Sequence, residues 1–327
     1  MTTVLVTGGA GYIGSHAVLA LRDAGHSPVV LDNLSTGFPE ALPEGVPLEH
    51  GDVADKALVA GVLQRHGVGA VMHFAGSIIV PESVTDPAKY YRNNTAASLS
   101  LIEACLEQGV GPFVFSSTAA VYGAPERAPI AEGDPTVPIN PYGASKLMVE
   151  RMLFDTARAH PAFRPVALRY FNVAGADPEG RAGQRTRNAT HLVQLAVETA
   201  LGRRPVLEIF GEDYPTRDGT CERDYVHVSD LAAAHVAALA YLEAGGAPEA
   251  MNCGYGRGMT VKEVIGCLER VLGRPVEQRL AERRAGDPPI LISDPSKLKR
   301  LLDWTPAHAD IDEILTSALA WQRRLNA

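Results

Sequence analysis

The sequence predicts an α/β protein, a doubly wound parallel sheet with a smaller C-terminal α/β lobe. Three observations predict it. Short, almost continuously apolar segments alternate with amphipathic ones through the first half of the chain, as strands buried on both faces alternate with their covering helices. A glycine-rich turn joins the first such strand to the first helix. Beyond Asn172 the alternation gives way to long polar stretches that no single sheet accommodates.

In order, VLVTGG (4–9) reads as a buried strand and HAVLALRDAG (16–25) as a helix ending at Gly25. PVVLD (28–32) is the second strand, ALVAGVLQRHG (57–67) a helix and VGAVMHFAG (68–76) a strand. Helix 90–109, strand 112–117, helix 147–160 and strand 164–172 continue the beat. Polar, glycine-containing runs at 176–191 and 213–225 interrupt it, and 228–245 restores a helix with Ser229 or Asp230 as its expected cap. The implied division is a dinucleotide-binding Rossmann domain over 1–172, rejoined by a return segment at about 225–255. Residues 173–224 and 256–327 then form the second lobe.

Composition excludes several classes. The chain has 327 residues, 46% hydrophobic and 21% charged, enough for a large core. Its net charge of −8 argues against a nucleic-acid partner, which would require clustered Lys and Arg. Cys105, Cys221, Cys253 and Cys267 are widely spaced, with no C-x-x-C pair, so no metal is expected. No export signal and no apolar run of about 18 residues is found, which predicts a cytoplasmic protein without a membrane partner.

Within TGGAGYIG (7–14), Gly8, Gly11 and Gly14 let backbone approach a pyrophosphate at a helix N-terminus. Asp32 ends the second strand 18 residues after Gly14, where a carboxylate accepts a hydrogen bond from an adenosine ribose and repels a 2′-phosphate. NAD is therefore favoured over NADP. The competing reading of Asp32 is a cap for LSTG. Asp52, which is expected to end the third strand, and Phe74-Ala75-Gly76, at the end of the fourth, also fall at carboxyl ends of strands.

PYGASK (141–146) places Tyr142 and Lys146 four residues apart at the opening of a helix, after the strand PFVFSS. A phenol that takes a proton at neutral pH must have its pKa lowered from ~10 by roughly three units, about 4 kcal/mol. One adjacent cation supplies about one to three units. Lys146 is such a cation, and an oxidised nicotinamide is a second.

TGGAGYIG, followed by Ser/Thr and then Tyr-x-x-x-Lys, resembles the extended short-chain dehydrogenases/reductases. VTGGAGYIGSH, LDNLSTG, HFAGSIIVPESV, YYRNNTAASL, RYFNVAGADPEGR, IFGEDYPTRDGTCERDYVHVSDLA and RRAGDPP extend the likeness through nearly the whole chain to that group's UDP-glucose 4-epimerase family. The resemblance implies a catalytic set of Thr118, Tyr142 and Lys146, with Ser116 and Ser117 as the neighbours confusable with Thr118. It implies that Tyr142 takes the proton of the sugar 4-hydroxyl while hydride passes from C4 to NAD, and that hydride returns to the other face of the 4-keto sugar. UDP-glucose and UDP-galactose are thereby interconverted without net redox. Related dehydratases carry Asp-Glu after the Ser/Thr, whereas Ala119-Ala120 stands here.

The same resemblance assigns NAD contacts to Gly8, Gly11, Tyr12, Ile13 and Gly14, to Asp32 and Asn33, and to Asp52 and Val53. Phe74, Ala75, Gly76, Asn94, Ser116 and Tyr170 join them, together with Tyr142 and Lys146. For the UDP sugar it implies Arg223 and Arg284 on the diphosphate and Asp287 on a ribose hydroxyl. Thr118, Asn172, His191, Leu192, Ile209, Phe210 and Leu291 line the remainder. It also implies a homodimer, pairing through helices 90–109 and 147–160. Two departures stand out. Ile78 replaces a cofactor-reaching lysine, and Leu291, intermediate in size, stands where a bulky tyrosine or a small residue sets the room at the sugar's C2. The alternatives are a 4-epimerase of N-acetylhexosamine, pentose or uronic-acid nucleotides, or a non-catalytic NAD-binding protein. Arg181, Arg185 and Arg187 read as a solvated loop.

Overall fold

The computed structural model describes residues 1–186, 189–284 and 287–325. Chain order begins β1 (Thr3–Thr7), α1 (Tyr12–Asp23), β2 (Ser27–Asp32), β3 (Leu48–His50), α2 (Lys56–Arg65), β4 (Ala70–His73). A nearly continuous helical stretch follows, made of α3 (Val80–Thr85), α4 (Pro87–Tyr90), a π-turn at Tyr91–Ala96 and α5 (Ala97–Gln108). Then come β5 (Pro112–Thr118), α6 (Pro141–Ala159), β6 (Arg164–Tyr170) and β7 (Asn172–Ala174). The rest is α7 (Leu192–Ala200), β8 (Leu207–Phe210), β9 (Glu222–His227), α8 (Val228–Glu243), β10 (Glu249–Cys253), β11 (Gly258–Thr260), α9 (Val261–Leu272), β12 (Gln278–Ala281), β13 (Ile290–Leu291), α10 (Ser296–Leu302) and α11 (Ile311–Arg324).

The main sheet has seven strands in the order β10-β6-β5-β4-β1-β2-β3, and every pairing is parallel. Successive side chains of a strand point to opposite faces, so apolar strands such as VLV and VVL need cover on both sides. Leu5, Leu31, Val71, Phe113 and Phe115 pack one face against α2, α5 and α6. Val4, Val6, Val30, Met72 and Val114 pack the other against α1 and α8. Phe113 is wholly buried, worth about 2–3 kcal/mol. The strand order reverses between β1 and β4, which opens a crevice at their carboxyl ends.

The second lobe has its own core, built from α7, α9, α11 and Ile209 of β8. Its small sheets join β7, β9, β11 and β13, and separately β8 with β12. A fourth apolar cluster, including Ala119, Val121, Tyr122, Leu147 and Phe171, has Leu291 packed against it, bringing the lobe to the crevice. No helix among the described residues is long and apolar enough to cross a membrane.

Several boundaries differ from expectation. α6 begins at Pro141, ahead of the apolar run at 147–160 and including the Tyr142–Lys146 pair expected to open a helix, because Asn140 caps it through Gly143 N at 2.9 Å and Pro141 occupies its first turn. α8 is capped by His227, whose Nδ1 accepts from Ser229 N at 3.1 Å, in place of Ser229 or Asp230. Asp52 lies two residues beyond the end of β3.

Candidate active site

Gly8 (φ 70°) closes the turn after β1, and its amide donates to Leu31 O at 2.9 Å. A Cβ on Gly8 would stand 2.6 Å from Ala75 N, and one on Gly14 would stand 2.2 Å from Gly8 O. Only glycine permits these approaches. α1 starts at Tyr12 with Gly11 as N-cap and no side-chain capping bond, so its first amides face the crevice. Ile13 is half-buried beside them, and Tyr12 turns away, its hydroxyl donating to Gly175 O at 2.7 Å.

Asp32 caps the LSTG turn, as one of its two sequence readings expected, and also ties down the glycine turn. Oδ2 accepts from Ala10 N at 3.0 Å, fixing the glycine turn, and Oδ1 accepts from Leu34 N at 2.9 Å. Each oxygen retains a lone pair for a hydroxyl. Asn33 Nδ2 donates to Asp52 Oδ2 at 2.8 Å, joining the ends of β2 and β3, with Val53 buried below. Across the crevice Phe74 packs on His235 with ring centroids 4.7 Å apart. His73, unassigned from sequence, bridges Thr7 Oγ1 at 2.6 Å and Ser98 Oγ at 2.8 Å beneath the Phe74-Ala75-Gly76 turn. Burial pushes its pKa down to about 3, so it is neutral. Asn94 Oδ1 accepts from Ser77 N at 2.7 Å and its Nδ2 reaches Ser145 Oγ at 3.0 Å, holding that turn to α6.

Tyr142 and Lys146 lie on one face of α6, both buried. Thr118 ends β5; its Oγ1 accepts from Ala120 N at 3.1 Å, and its hydroxyl is near enough to the Tyr142 phenol to favour the ionised form. A Cβ on Gly143 would lie 2.5 Å from Ala120 O, so glycine there seats α6 against the turn that carries Thr118. Lys146 Nζ donates to Ser116 O at 3.1 Å, while Ser116 Oγ bonds Tyr170 OH at 2.7 Å. A Cβ placed on Gly76 would stand 3.6 Å from Lys146 Nζ, which makes the glycine-lined crevice continuous with the Thr118-Tyr142-Lys146 group.

The electrostatics add burial to this account. Burial raises the Tyr142 pKa above its ordinary value, and the Thr118 hydroxyl opposes that rise; Lys146 alone does not bring the phenol down. Burial depresses Lys146 itself to about 8, which leaves it mainly protonated at pH 7.

On the second lobe, Arg223 is buried and donates to Glu222 O at 2.9 Å; its Nη2 lies 3.9 Å from Asp287 Oδ1. Arg284 Nε donates to Asp287 Oδ2 at 2.9 Å and its guanidinium covers Phe210 at 4.8 Å. Two guanidiniums therefore flank one carboxylate. Leu291 pairs in register with Arg223 and reaches the cluster beneath Thr118. Asn172 on β7 pairs in register with Tyr225 on β9, and His191 caps α7, which Leu192 starts. Ile209 is not brought to this group. As the strand neighbour of Phe210 it faces the opposite side and is buried in the lobe's core.

In the arginine loop Arg181 is exposed and Arg185 half-buried, and both have partners. Arg181 pairs with Asp177 at 2.8 Å and Asp23 at 3.1 Å, and Arg185 lies over Trp321 at 5.3 Å; Arg187 lies outside the described residues. Sequence reading named Ser117 only as a neighbour confusable with Thr118, and it passed over Glu150 and Arg169. Their signal was present: Glu150 repeats the four-residue spacing of Tyr142 and Lys146, and Arg169 interrupts the apolar strand ALRYF.

Residues 4–254 match the NAD dependent epimerase/dehydratase family. The chain belongs to that family. Among its relatives, the UDP-glucose 4-epimerase of Azospirillum brasilense is 60% identical over 322 residues, 98% of this chain and 92% of that protein. The crystal structure of UDP-glucose 4-epimerase from Brucella ovis in complex with NAD superposes with a TM-score of 0.95 at 46% identity, covering 98% of each chain. The UDP-Glc/GlcNAc 4-epimerase from Campylobacter jejuni gives 0.87 at 46% identity, over 99% of this chain and all of that one.

Proposed function

We propose that this chain is a UDP-glucose 4-epimerase that interconverts UDP-glucose and UDP-galactose. The observation that carries the reading is the continuity of the glycine-lined crevice with the Thr118-Tyr142-Lys146 group. NAD fits the chain's own features: a cradle that a Cβ at Gly8 or Gly14 would fill, uncapped amides at α1 and an acceptor at Asp32. When bound, NAD supplies the acceptor and donor of the hydride that leaves and re-enters sugar C4.

In this reading Tyr142 removes the proton of the 4-hydroxyl and returns it to the epimeric oxygen. Thr118, whose Oγ1 already accepts from Ala120, donates to the same oxygen. Lys146 holds a positive charge beside the phenol. Ala119 and Ala120 offer no acid or base for eliminating water, which favours epimerisation over dehydration. Arg223 and Arg284 grip the diphosphate through forked donors, and Asp287, which they flank, takes a ribose hydroxyl. Phe210 under Arg284, Leu291 in register with Arg223, and His191, whose pKa the nearby Arg284 helps to lower, support the site assigned to them, and Asn172 and Leu192 are assigned with them. Ile209 supports the strand from behind.

The test is to incubate the purified protein with UDP-galactose, without added NAD, and follow the anomeric proton signals by NMR. UDP-glucose is expected at a ratio independent of enzyme amount, and Tyr142→Phe is expected to abolish it. No conversion by the wild-type protein, even with NAD added, refutes the reading. A second substrate is favoured by Leu291: its intermediate bulk leaves room for an N-acetyl group, so UDP-N-acetylglucosamine is expected to turn over more slowly than UDP-glucose.

Tyr91, Leu99 and Met148, between 37% and 44% exposed on the π-turn, α5 and α6, support a homodimer formed through these helices. Sedimentation should give twice the chain mass, and Leu99→Glu should give the monomer. A soluble nucleotide-sugar substrate supports action in the cytoplasm.

A further inference from the structure

Behind the proton-transfer residues lies a charged pair with no contact to the crevice. Arg169 Nε and Nη2 fork onto Glu150, the latter at 2.6 Å, with side chains only 8% and 2% exposed. Glu150 Oε1 also accepts from Ser117 Oγ at 2.5 Å. Arg169 Nη1 donates to Tyr122 OH at 2.9 Å, and that hydroxyl donates to Asn252 Oδ1 at 2.7 Å. Asn252 Nδ2 in turn donates to Ile130 O at 2.8 Å. Each member sits one step from a residue of the proposed reaction. Ser117 precedes Thr118, Glu150 lies one helical turn beyond Lys146, Arg169 precedes Tyr170, and Tyr122 ends the short turn that Thr118 caps.

A buried ion pair is a weak source of stability, because desolvation offsets most of the Coulomb gain and apolar residues of similar volume serve as well or better. It is a strong source of orientation, since a fork tolerates little misalignment. Beside the Lys146 Nζ to Ser116 O bond, this pair is a second direct polar tie between α6, which carries Tyr142 and Lys146, and the strands β5 and β6, which carry Thr118 and Tyr170. We propose that Glu150 and Arg169 are positioning residues for the proton transfer: they fix α6 against β5 so that the Tyr142 phenol and the Thr118 hydroxyl meet on one substrate oxygen. The diphosphate contacts lie on the other lobe and are independent of the pair. The inference rests on the epimerase reading.

The experiment measures kcat, KM and Tm for wild type, Glu150→Gln, Ser117→Ala, Arg169→Lys and Arg169→Met with UDP-galactose. A misplacement on the order of 1 Å lowers turnover roughly 10–100-fold. Glu150→Gln and Ser117→Ala are expected to lower kcat, the former by that range and the latter by less, with KM within about threefold of wild type. Arg169→Lys, which keeps the charge, is expected to turn over faster than Arg169→Met. Ser117→Ala removes one hydroxyl and leaves the ion pair, so it decides the matter if Glu150→Gln does not fold. Wild-type kcat in Ser117→Ala and in any folded Glu150→Gln overturns the inference, as does a kcat loss that merely tracks Tm. Absence of turnover in the wild-type protein refutes the epimerase reading instead.

Discussion

Gly14→Ala puts the account of the cofactor crevice to a quantitative test. The added methyl would stand 2.2 Å from Gly8 O, 2.8 Å from Gly9 Cα and 2.9 Å from Gly8 C, all backbone atoms with no side chain to swing aside. Ordinary contact needs about 3.4 Å or more, so α1 and the glycine turn must part by more than about an ångström, and overpacking of this kind costs about 1–3 kcal/mol. The displaced turn is the surface expected to meet the pyrophosphate, so the same misfit reaches binding, where each 1.4 kcal/mol is about tenfold in affinity. NAD affinity, titrated by calorimetry into protein freed of dinucleotide, is therefore expected to fall about tenfold to a hundredfold. Gly266→Ala is the internal control, because a Cβ there meets nothing within 4 Å on the middle of α9. It should leave NAD binding unchanged and stabilise the protein by about 1 kcal/mol. Equal NAD affinity in Gly14→Ala and wild type would refute the reasoning.

Other substitutions separate chemistry, grip and stability. Tyr142→Phe keeps the ring that meets Tyr90 edge-on at 6.4 Å and should lower kcat by about 10²–10⁴ while Tm barely moves. Arg223→Met should lower kcat/KM for UDP-galactose by about tenfold to a hundredfold, mainly through KM, in steady-state assays. His16, His227 and His235 are buried with pKa values held down to about 4, and His73 to about 3, all by desolvation. Unfolding returns them to about 6.5, so the unfolded chain binds more protons below that pH. Their contribution is complete above about pH 6.5 and is lost as pH falls toward 4. Urea midpoints at pH 7.5, 6.5 and 5.5 should fall in that order, and a flat profile would contradict the assignment.

The doubly wound sheet was legible because β1, β2, β4 and β5 are apolar on both faces, a pattern local enough to read residue by residue. TGGAGYIG was legible for a related reason: its glycines answer to clashes within a few residues, as between Gly14 and Gly8 O. Long-range contacts were less legible. The apolar run at 147–160 does not mark the start of α6, because an asparagine cap and a first-turn proline look like loop residues. His227 as the cap of α8 could not compete with Ser229 and Asp230 on propensity, since only its seating beneath Ser317 and His308 turns Nδ1 toward the helix. The four-residue spacing of Tyr142 and Lys146 reveals the cation but not the burial that raises the phenol's pKa. Ile209 and Phe210 were taken together, though a strand must send them to opposite faces.

The central claim is that hydride leaves C4 of the sugar and returns to C4 of the same sugar, with Tyr142 moving only the hydroxyl proton. UDP-galactose carrying deuterium at C4, incubated in ordinary water and analysed as UDP-glucose by mass and NMR, measures this directly. The account predicts full retention of deuterium at C4 at every extent of conversion, with none released to solvent. Loss of the label to water during epimerisation would contradict it.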